Sequence, residues 1–377
     1  MRRRALLFAL CLLTAFSAGC SPGPGDARPS QEPEARAACR DVAERGSLRV
    51  LTLNLHFSAV RDRDRRLRAI GDFIAAEAID VVLLQEVAAG LLVRSRSTAL
   101  ELQDLLRDRH GLVLDERSAV EDGVPGLLTV ANAVLSRCLV LDERAVALPE
   151  IAELGILGFR FRLGRNVLMT RLLVPEIGEI DVYNTHLCAS CTAKERRRQL
   201  EAALSFIEKN DREGERPVIF GGDLNLDLER DGGAEKALYA LIEATGLRDT
   251  ATMDGEAADR LCAQPEKPDR YCTVGVAEPI RPQSRRIDYL FARDVGAIAG
   301  YRTVFNPRID PGQPAVSNHA GVVAELMLVS AAAPPAPYPK DSQSPNRVER
   351  RSVTPSMSRT LASVSGRRSS RQPPASR

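Results

Sequence analysis

Apolar and polar positions along this chain fall into six short runs, each marked by a polar residue of a hydrolytic type: VLTLNLH, VVLLQEV, VYNTHL, VIFGGDLN, RIDYLF and SNHAGVV. A run rich in Val, Leu and Ile that stops at a carboxylate, amide or imidazole predicts a buried strand whose end delivers one side chain to a sheet edge or cleft. Together the runs supply Asn54, Glu86, His186, Asp223, Asn225, Asp288 and His319. One such run carries no argument. Six of them, drawing on so few residue types, predict a single metal and phosphate site.

Between these runs the period changes. Leu67, Ile70, Phe73 and Ile74 recur at helical spacing up to Asp80, and Leu102, Leu105 and Leu106 place a second helix over 98–109 with Gly111 as its stop. Thr192 and Glu195 have the spacing of a capping box ahead of Leu200, Leu204 and Ile207. A further helix is predicted over 234–245, stopped by Gly246. LRVLTLNL, LLTVANAVLSRCLVL, GFRFRL, NVLMTRLLV, EIDVYNTHL and GVVAELML read as strands. Strands in runs with interspersed helices, and no strict alternation, predict packed sheets covered by helices.

The ends of the chain carry a different pattern. Three arginines at 2–4, the apolar ALLFALCLLTAF and the small residues before Cys20 have the parts of a secretion signal, too short to span a bilayer. Ala18-Gly19-Cys20 is similar to the end of a bacterial lipoprotein signal, so Cys20 is the expected lipidation site, and Ser21 fits sorting to the outer membrane. The expectation is an exported protein, periplasmic or anchored in the outer membrane, with residues 1–19 as signal and 20–46 as a flexible tether rich in Pro, Gly and Ala. The catalytic domain is placed at 47–330. Residues 331–377, dominated by Ala, Pro, Ser and Arg, cannot bury enough apolar surface to fold.

Charge and cysteine follow from that division. After Ser330 nine Lys and Arg stand against two acids; with the signal's three arginines also set aside, residues 20–330 carry a net charge of −8. An acidic body disfavours broad nucleic-acid affinity unless bound cations intervene. Export permits disulfides. Cys262 with Cys272, and Cys188 with Cys191, are the expected bridges in preference to a zinc site, which lacks further ligands at matching spacing. Cys138, inside VLSRCLVL, is expected as a buried free thiol rather than a partner of Cys39.

Phosphate-ester hydrolysis needs charge neutralised on the phosphoryl oxygens, a water placed in line and a stabilised leaving oxygen. A hard divalent cation, Mg2+ or Mn2+, suits carboxylate oxygen, and VVLLQE leaves Glu86 at a predicted strand end as its main ligand. Asp223 and Asn225, two apart, are expected on one strand side, the acid accepting a proton from water and the amide donating to a phosphoryl oxygen. Gly221 and Gly222 are expected to turn the backbone there and admit the substrate closely. Of four histidines, His186 and His319 sit in such motifs, and Asp288 would keep His319 charged. His56 and His110 read as packing or surface residues.

This motif set, with ANAVLSR at 131–137, resembles that of the endonuclease/exonuclease/phosphatase superfamily, over about 49–328. The resemblance implies an α/β fold, a four-layer α/β/β/α sandwich of the deoxyribonuclease-I-like kind, with the site at the open end of two facing sheets. It implies that Asn54 and Glu86 hold the metal, that His186 contacts the scissile phosphate with Asn184 nearby, and that Asp223 orients the attacking water. Asn225 would steady the phosphoryl oxygens and Asp288 would pair with His319. Where the family has Ser-Asp-His, this chain has Ser317-Asn318-His319, which removes a charge at Asn318 and implies weakened metal binding.

The expected activity is a monomeric, membrane-anchored phosphodiesterase acting on nucleic acid or a phospholipid head group. The absence of Trp argues against an aromatic membrane-inserting hairpin. A non-catalytic lipoprotein using the same fold as a binding scaffold is the alternative, with Asn318 in its favour. Specificity is expected in 112–130 and 250–285.

Overall fold

The computed structural model describes residues 39–329, apart from 58–61, 95, 151–152, 157–158, 163, 212–213, 215, 229–232, 254–261, 263–270 and 276–284. The signal, Cys20, most of the tether, the basic tail and much of 250–285 lie outside the described residues.

Two six-stranded sheets face one another. In the first, β1 (Ser47–Asn54), β2 (Val81–Ala89), β3 (Asp115–Val124), β4 (Leu128–Ser136), β13 (Ile298–Val304) and β14 (Gly321–Met327) run in the order β13-β14-β1-β2-β4-β3. In the second, β5 (Leu139–Ala147), β8 (Asn166–Val174), β9 (Gly178–His186), β10 (Val218–Asp223), β11 (Arg248–Asp249) and β12 (Asp288–Arg293) run in the order β11-β12-β10-β9-β8-β5. β6 (Glu153–Ile156) and β7 (Phe159–Arg162) pair as a separate hairpin. The helices are α1 (Arg40–Arg45), α2 (Arg63–Ala76), α3 (Thr98–His110), α4 (Ala193–Asn210), α5 (Ala234–Glu243) and the short α6 (Thr250–Met253).

Both faces of the central strands are buried, and the strand period of two shows how. Along β1, Leu48 and Val50 point into the layer between the sheets, where they meet Leu168, Val182, Ile219 and Leu290 of the second sheet. Leu51 and Leu53 point the other way, onto Ile70 and Ile74 of α2 and Leu102 and Leu106 of α3. The second sheet repeats the scheme: Phe220, Tyr289 and Phe291 face Leu200 and Leu204 of α4 and Leu238 of α5. Three apolar layers therefore separate four structural ones, the expected α/β/β/α sandwich. Among the described residues no helix is long and apolar enough to cross a membrane.

The folded body starts earlier than the sequence pattern suggested. Cys39 is bridged to Cys138, and buried Asp80 accepts hydrogen bonds from Arg45 of α1, from the Arg49 amide and from Arg137. Residues 39–46 thus belong to the domain and not to the tether. Cys138 is not a free thiol; the bridge closes a loop of 99 residues, which in the chain-entropy account stabilises the fold by about 4 to 5 kcal/mol. No local pattern links two cysteines so far apart. Cys188–Cys191 and Cys262–Cys272 are bridged as expected. The run LLTVANAVLSRCLVL is divided: β4 ends at Ser136, and β5 crosses to the other sheet from Leu139.

Candidate active site

Register brings the site together. In the second sheet Asp223, the last residue of β10, lies opposite His186 on parallel β9 and Asp288 on antiparallel β12, so three strand ends form one row. Gly221 and Gly222 permit this row. A Cβ on Gly222, at φ 131°, would lie 2.0 Å from the Thr185 carbonyl oxygen, and one on Gly221 would lie 2.7 Å from that of Tyr289. Their role is close strand approach within the sheet, not a turn toward substrate.

The first sheet contributes Asn54 and Glu86. Asn54, buried at the end of β1, donates from Nδ2 to both Glu86 Oε1 (3.1 Å) and Asp223 Oδ2 (3.0 Å), joining the two sheets. Its Oδ1 accepts the His56 amide at 2.9 Å, so the oxygen expected as a metal ligand already holds the chain beyond β1. Glu86 is not at a strand end. β2 continues to Ala89, and the pairing with β4 shifts register between Leu84 and Val87 with Glu86 at φ 54°. Such a bulge adds one residue and re-aims its side chain. Leu84 and Val87 both pack on the α2–α3 side, and the extra residue delivers Glu86 to the cleft. The Phe57 amide donates to Glu86 Oε2 at 2.9 Å.

Asn225 leaves the strand after Asp223. At φ 51° it is left-handed; its amide donates to Asp223 Oδ1 (3.1 Å) and its Nδ2 to the Leu187 carbonyl (2.9 Å). Alternation along a strand does not place it beside Asp223, and these two hydrogen bonds do. Asn184 is a larger departure. Fully buried between the sheets, it donates to the carbonyls of Leu84 and Ala133 and accepts from Gln85 Nε2 at 2.7 Å. Both N–H groups are used, so Asn184 is a strut between the sheets and not a phosphate contact.

His186 and His319 flank Asp223, with Nε2 to Oδ2 distances of 3.4 and 3.9 Å. His319 Nδ1 lies 2.9 Å from Asp288 Oδ2 and 3.1 Å from Oδ1. Burial disfavours a charge on His319, but Asp288, through its charge and its hydrogen bond, then Asp223 and Glu86, outweigh it and raise the imidazole to about 9. The loop bearing His319 is held by Arg66, which donates to the Val316 and Leu55 carbonyls, and by Thr273, which accepts from the amides of Ala320 and Asp288. Thr273 follows Cys272, so the Cys262–Cys272 bridge backs this corner.

His186 has a different environment, missed by the sequence reading. Arg165 Nη1 lies 3.0 Å from His186 Nδ1 and 3.2 Å from Glu121 Oε2, while Asn132 Nδ2 donates to Glu121 Oε1 at 2.8 Å. A guanidinium only donates, so Nδ1 accepts and the His186 proton sits on Nε2, facing Asp223 and the cleft. Burial first, then Arg165 and His319, push His186 well below its ordinary range, and it is neutral. Burial likewise raises Glu121 to about 7 against the pull of Arg165. Asn132 lies in the ANAVLSR signature, the one sequence signal that pointed here.

Two other residues complete the comparison with expectation. Asn318 is half-buried; its Oδ1 accepts from Ser317 Oγ at 3.2 Å, and no hydrogen bond ties it to Glu86 or Asp223. His56, expected in packing or at the surface, lies close enough to Glu86 and His319 to feel both charges. His110 pairs with Asp72 near the end of α3, a surface contact as expected.

A family model described as the endonuclease/exonuclease/phosphatase family matches residues 51–319. The chain belongs to that family. A search of curated proteins found no match. Among solved structures, an endonuclease/exonuclease/phosphatase from Beutenbergia cavernae is 23% identical with a TM-score of 0.55, covering 75% of this chain and 72% of that one. A mannosyl-6-phosphatase from Bacteroides thetaiotaomicron is 16% identical (TM-score 0.51; 74% and 99% covered). TDP2 from D. rerio, complexed with a single-strand DNA product, is 18% identical (TM-score 0.52; 74% and 98% covered). At these identities the structures establish the fold; the family supports a phosphoesterase.

Enzymes of the family typically use a divalent metal ion, and the residues here fit one. Burial first, then repulsion from Asp288, push Asp223 above the ordinary carboxylate range, with Glu86 adding to the effect; a cation would relieve that repulsion. Asp223, Asp288 and His319 place ligand atoms within 4.8 Å of one another, but His319 and Asp288 are bonded to each other and the imidazole is charged. Glu86 and Asp223, joined through one Asn54 amide group, are the better oxygen donors for a hard cation.

Proposed function

We propose that the protein is a metal-dependent phosphodiesterase, exported and anchored at the membrane, and acting as a monomer. The observation carrying this reading is the row His186–Asp223–Asp288 facing Glu86 across the two sheets, with one imidazole neutral and the other charged. A cation held by Glu86 and Asp223 would neutralise phosphoryl charge and polarise the P–O bond.

The chain's own residues account for the rest. Asp223 orients the attacking water and accepts its proton; burial makes it a better base than a surface acid. His186 donates Nε2–H to a phosphoryl oxygen, its tautomer held by Arg165. Asn225 places its remaining amide hydrogen near the same oxygens. His319, charged through Asp288, protonates the leaving oxygen from Nε2. Asn54 fixes the distance between Glu86 and Asp223, and the bulge at Glu86 is local strain retained for that purpose.

The test is hydrolysis of bis(p-nitrophenyl) phosphate with Mg2+ or Mn2+, by the parent chain and Asp223→Ala. Chelator-sensitive turnover in the parent, reduced about a thousandfold in the variant, is the expected result. Binding of phosphodiesters with no turnover in the parent would instead establish a scaffold.

A further inference from the structure

At the catalytic end of the sandwich β2, β3 and β4 run past the site. From Asn132 back to Leu128, four residues of β4 extend the hairpin about 13 Å beyond the level of Glu121 and His186. The hairpin tip packs on the 3-10 turn that follows β2: Leu91 and Leu92 amides donate to the Gly126 and Leu127 carbonyls, at 3.0 and 3.1 Å. The side chains presented there are large and aliphatic. Leu91 is 73% exposed, Leu92 62%, Val124 59% and Leu127 46%, with Pro125 between the last two. No charged residue occurs in 87–93 or in 123–136. Phe57, 38% exposed, stands beside Glu86 at the cleft. Exposed apolar side chains gathered on two segments that are hydrogen-bonded to each other mark an interaction site, unlike scattered single residues.

We infer that this aliphatic rim is a lipid-contact surface, and that the substrate of the adjacent cleft is a phospholipid head-group phosphodiester presented by a bilayer. The substrate part rests on the phosphodiesterase reading above; the surface part does not. Two observations select a bilayer over other occupants. The apolar segments carry no charge of their own and the Arg94 and Arg96 that follow them are paired with Asp64 and Asp104, which leaves little positive charge for a polyanion, whereas apolar side chains beside a polar cleft suit a surface with acyl chains below its head groups. The chain outside the structure also permits it. Cys39 is bridged beside the start of β1, the pole opposite the site, and the 18 residues from 21 to 38 can span about 60 Å when extended. β1 itself is about 26 Å long. A lipid at Cys20 therefore leaves the body free to turn its catalytic end to the membrane that holds it.

The chain contains no Trp, which allows a direct test on the full-length protein. Leu127→Trp introduces a sole indole at the rim, and Leu141→Trp, on β5 at the edge of the other sheet, is the control. Each is added to vesicles of phosphatidylglycerol and phosphatidylethanolamine with brominated acyl chains. The rim indole is expected to shift to the blue and lose about half its emission, while the control keeps its emission. In parallel, Leu91→Asp should lower hydrolysis of vesicle phospholipid about tenfold and leave bis(p-nitrophenyl) phosphate hydrolysis within about twofold. An unquenched rim indole overturns the inference, as does equal quenching at both positions. So does a blue shift that needs no vesicles and grows with protein concentration, which would assign the rim to a second copy, or one produced by duplex DNA. Rim quenching in a chain that hydrolyses neither ester would uphold the surface and sink the phosphodiesterase reading; turnover of the soluble ester without rim quenching would do the reverse.

Discussion

The two halves of the site, one on each side of Asp223, hold chemically identical imidazoles in opposite states. His186 meets a guanidinium at Nδ1 and is kept neutral. His319 meets a carboxylate at Nδ1 and is kept charged. Both are buried, so burial alone does not separate them. The partner of the distant ring nitrogen decides which one donates a hydrogen bond to a phosphoryl oxygen and which one delivers a proton to a leaving group.

That difference is open to test through the leaving group. His319→Gln should lower kcat by about a thousandfold to ten-thousandfold for an alkyl phosphodiester, yet by about tenfold or less for a p-nitrophenyl ester, whose leaving oxygen needs no proton. His186→Gln should cost about a hundredfold to a thousandfold on both esters, because phosphoryl charge develops in either case. Losses that scale alike with leaving group in the two variants would erase the distinction.

The pH profile sharpens it. His319 acts in its protonated form, so activity should show an alkaline limb, lost as pH rises through the raised imidazole value, which is about 9 before a cation on Asp223 and Glu86 lowers it. Asp288→Asn removes the charge and hydrogen bond that do most to raise the imidazole, leaving burial to lower it against the weaker pull of Asp223 and Glu86. The alkaline limb should then move to lower pH, measured as kcat against pH on the alkyl ester. An unmoved limb would assign the titration to another group.

How much of this was visible in the sequence depends on what each residue borders. His186, Asp223 and Asp288 were legible because each terminates or begins a buried apolar run, and one sheet row then collects them. Glu86 was legible as a residue and illegible as a bulge, since an inserted position leaves the apolar pattern almost unchanged. Glu121 lies in β3, DERSAVEDGV, inside the 112–130 stretch expected to carry specificity, and no local pattern singles it out from the other acids there as the one that Arg165 pairs in the interior. Asn184 misled for the converse reason: an amide at a strand end can face a cleft or a second sheet, and only the packing of Leu84 and Ala133 around it decides. The Cys39–Cys138 bridge depends on tertiary proximity that no periodicity encodes.

The Arg165 half can be loosened without touching the substrate. Arg165→Met frees His186 to adopt either tautomer and strands Glu121 in the interior, so kcat should fall about tenfold and stability by about 3 kcal/mol. Glu121→Gln added to Arg165→Met should restore much of the stability and none of the rate, measured by urea unfolding beside kinetics. Recovery of both together would make the pair structural.

The smallest expected effect concerns Asn318, one residue from His319 and without a hydrogen bond to the carboxylates that would hold a cation. Asn318→Asp places a new negative charge at a half-buried position, where solvent screens part of it. If Asn318 borders the cation, the Mg2+ concentration for half-maximal rate should fall about threefold to tenfold, with the alkaline limb little changed. If it borders only the imidazole, the limb should move upward and the metal requirement stay as it is. The second outcome would refute the idea that this position weakens metal binding and would place its influence on the charged half of the site, through the same ring that Asp288 already controls.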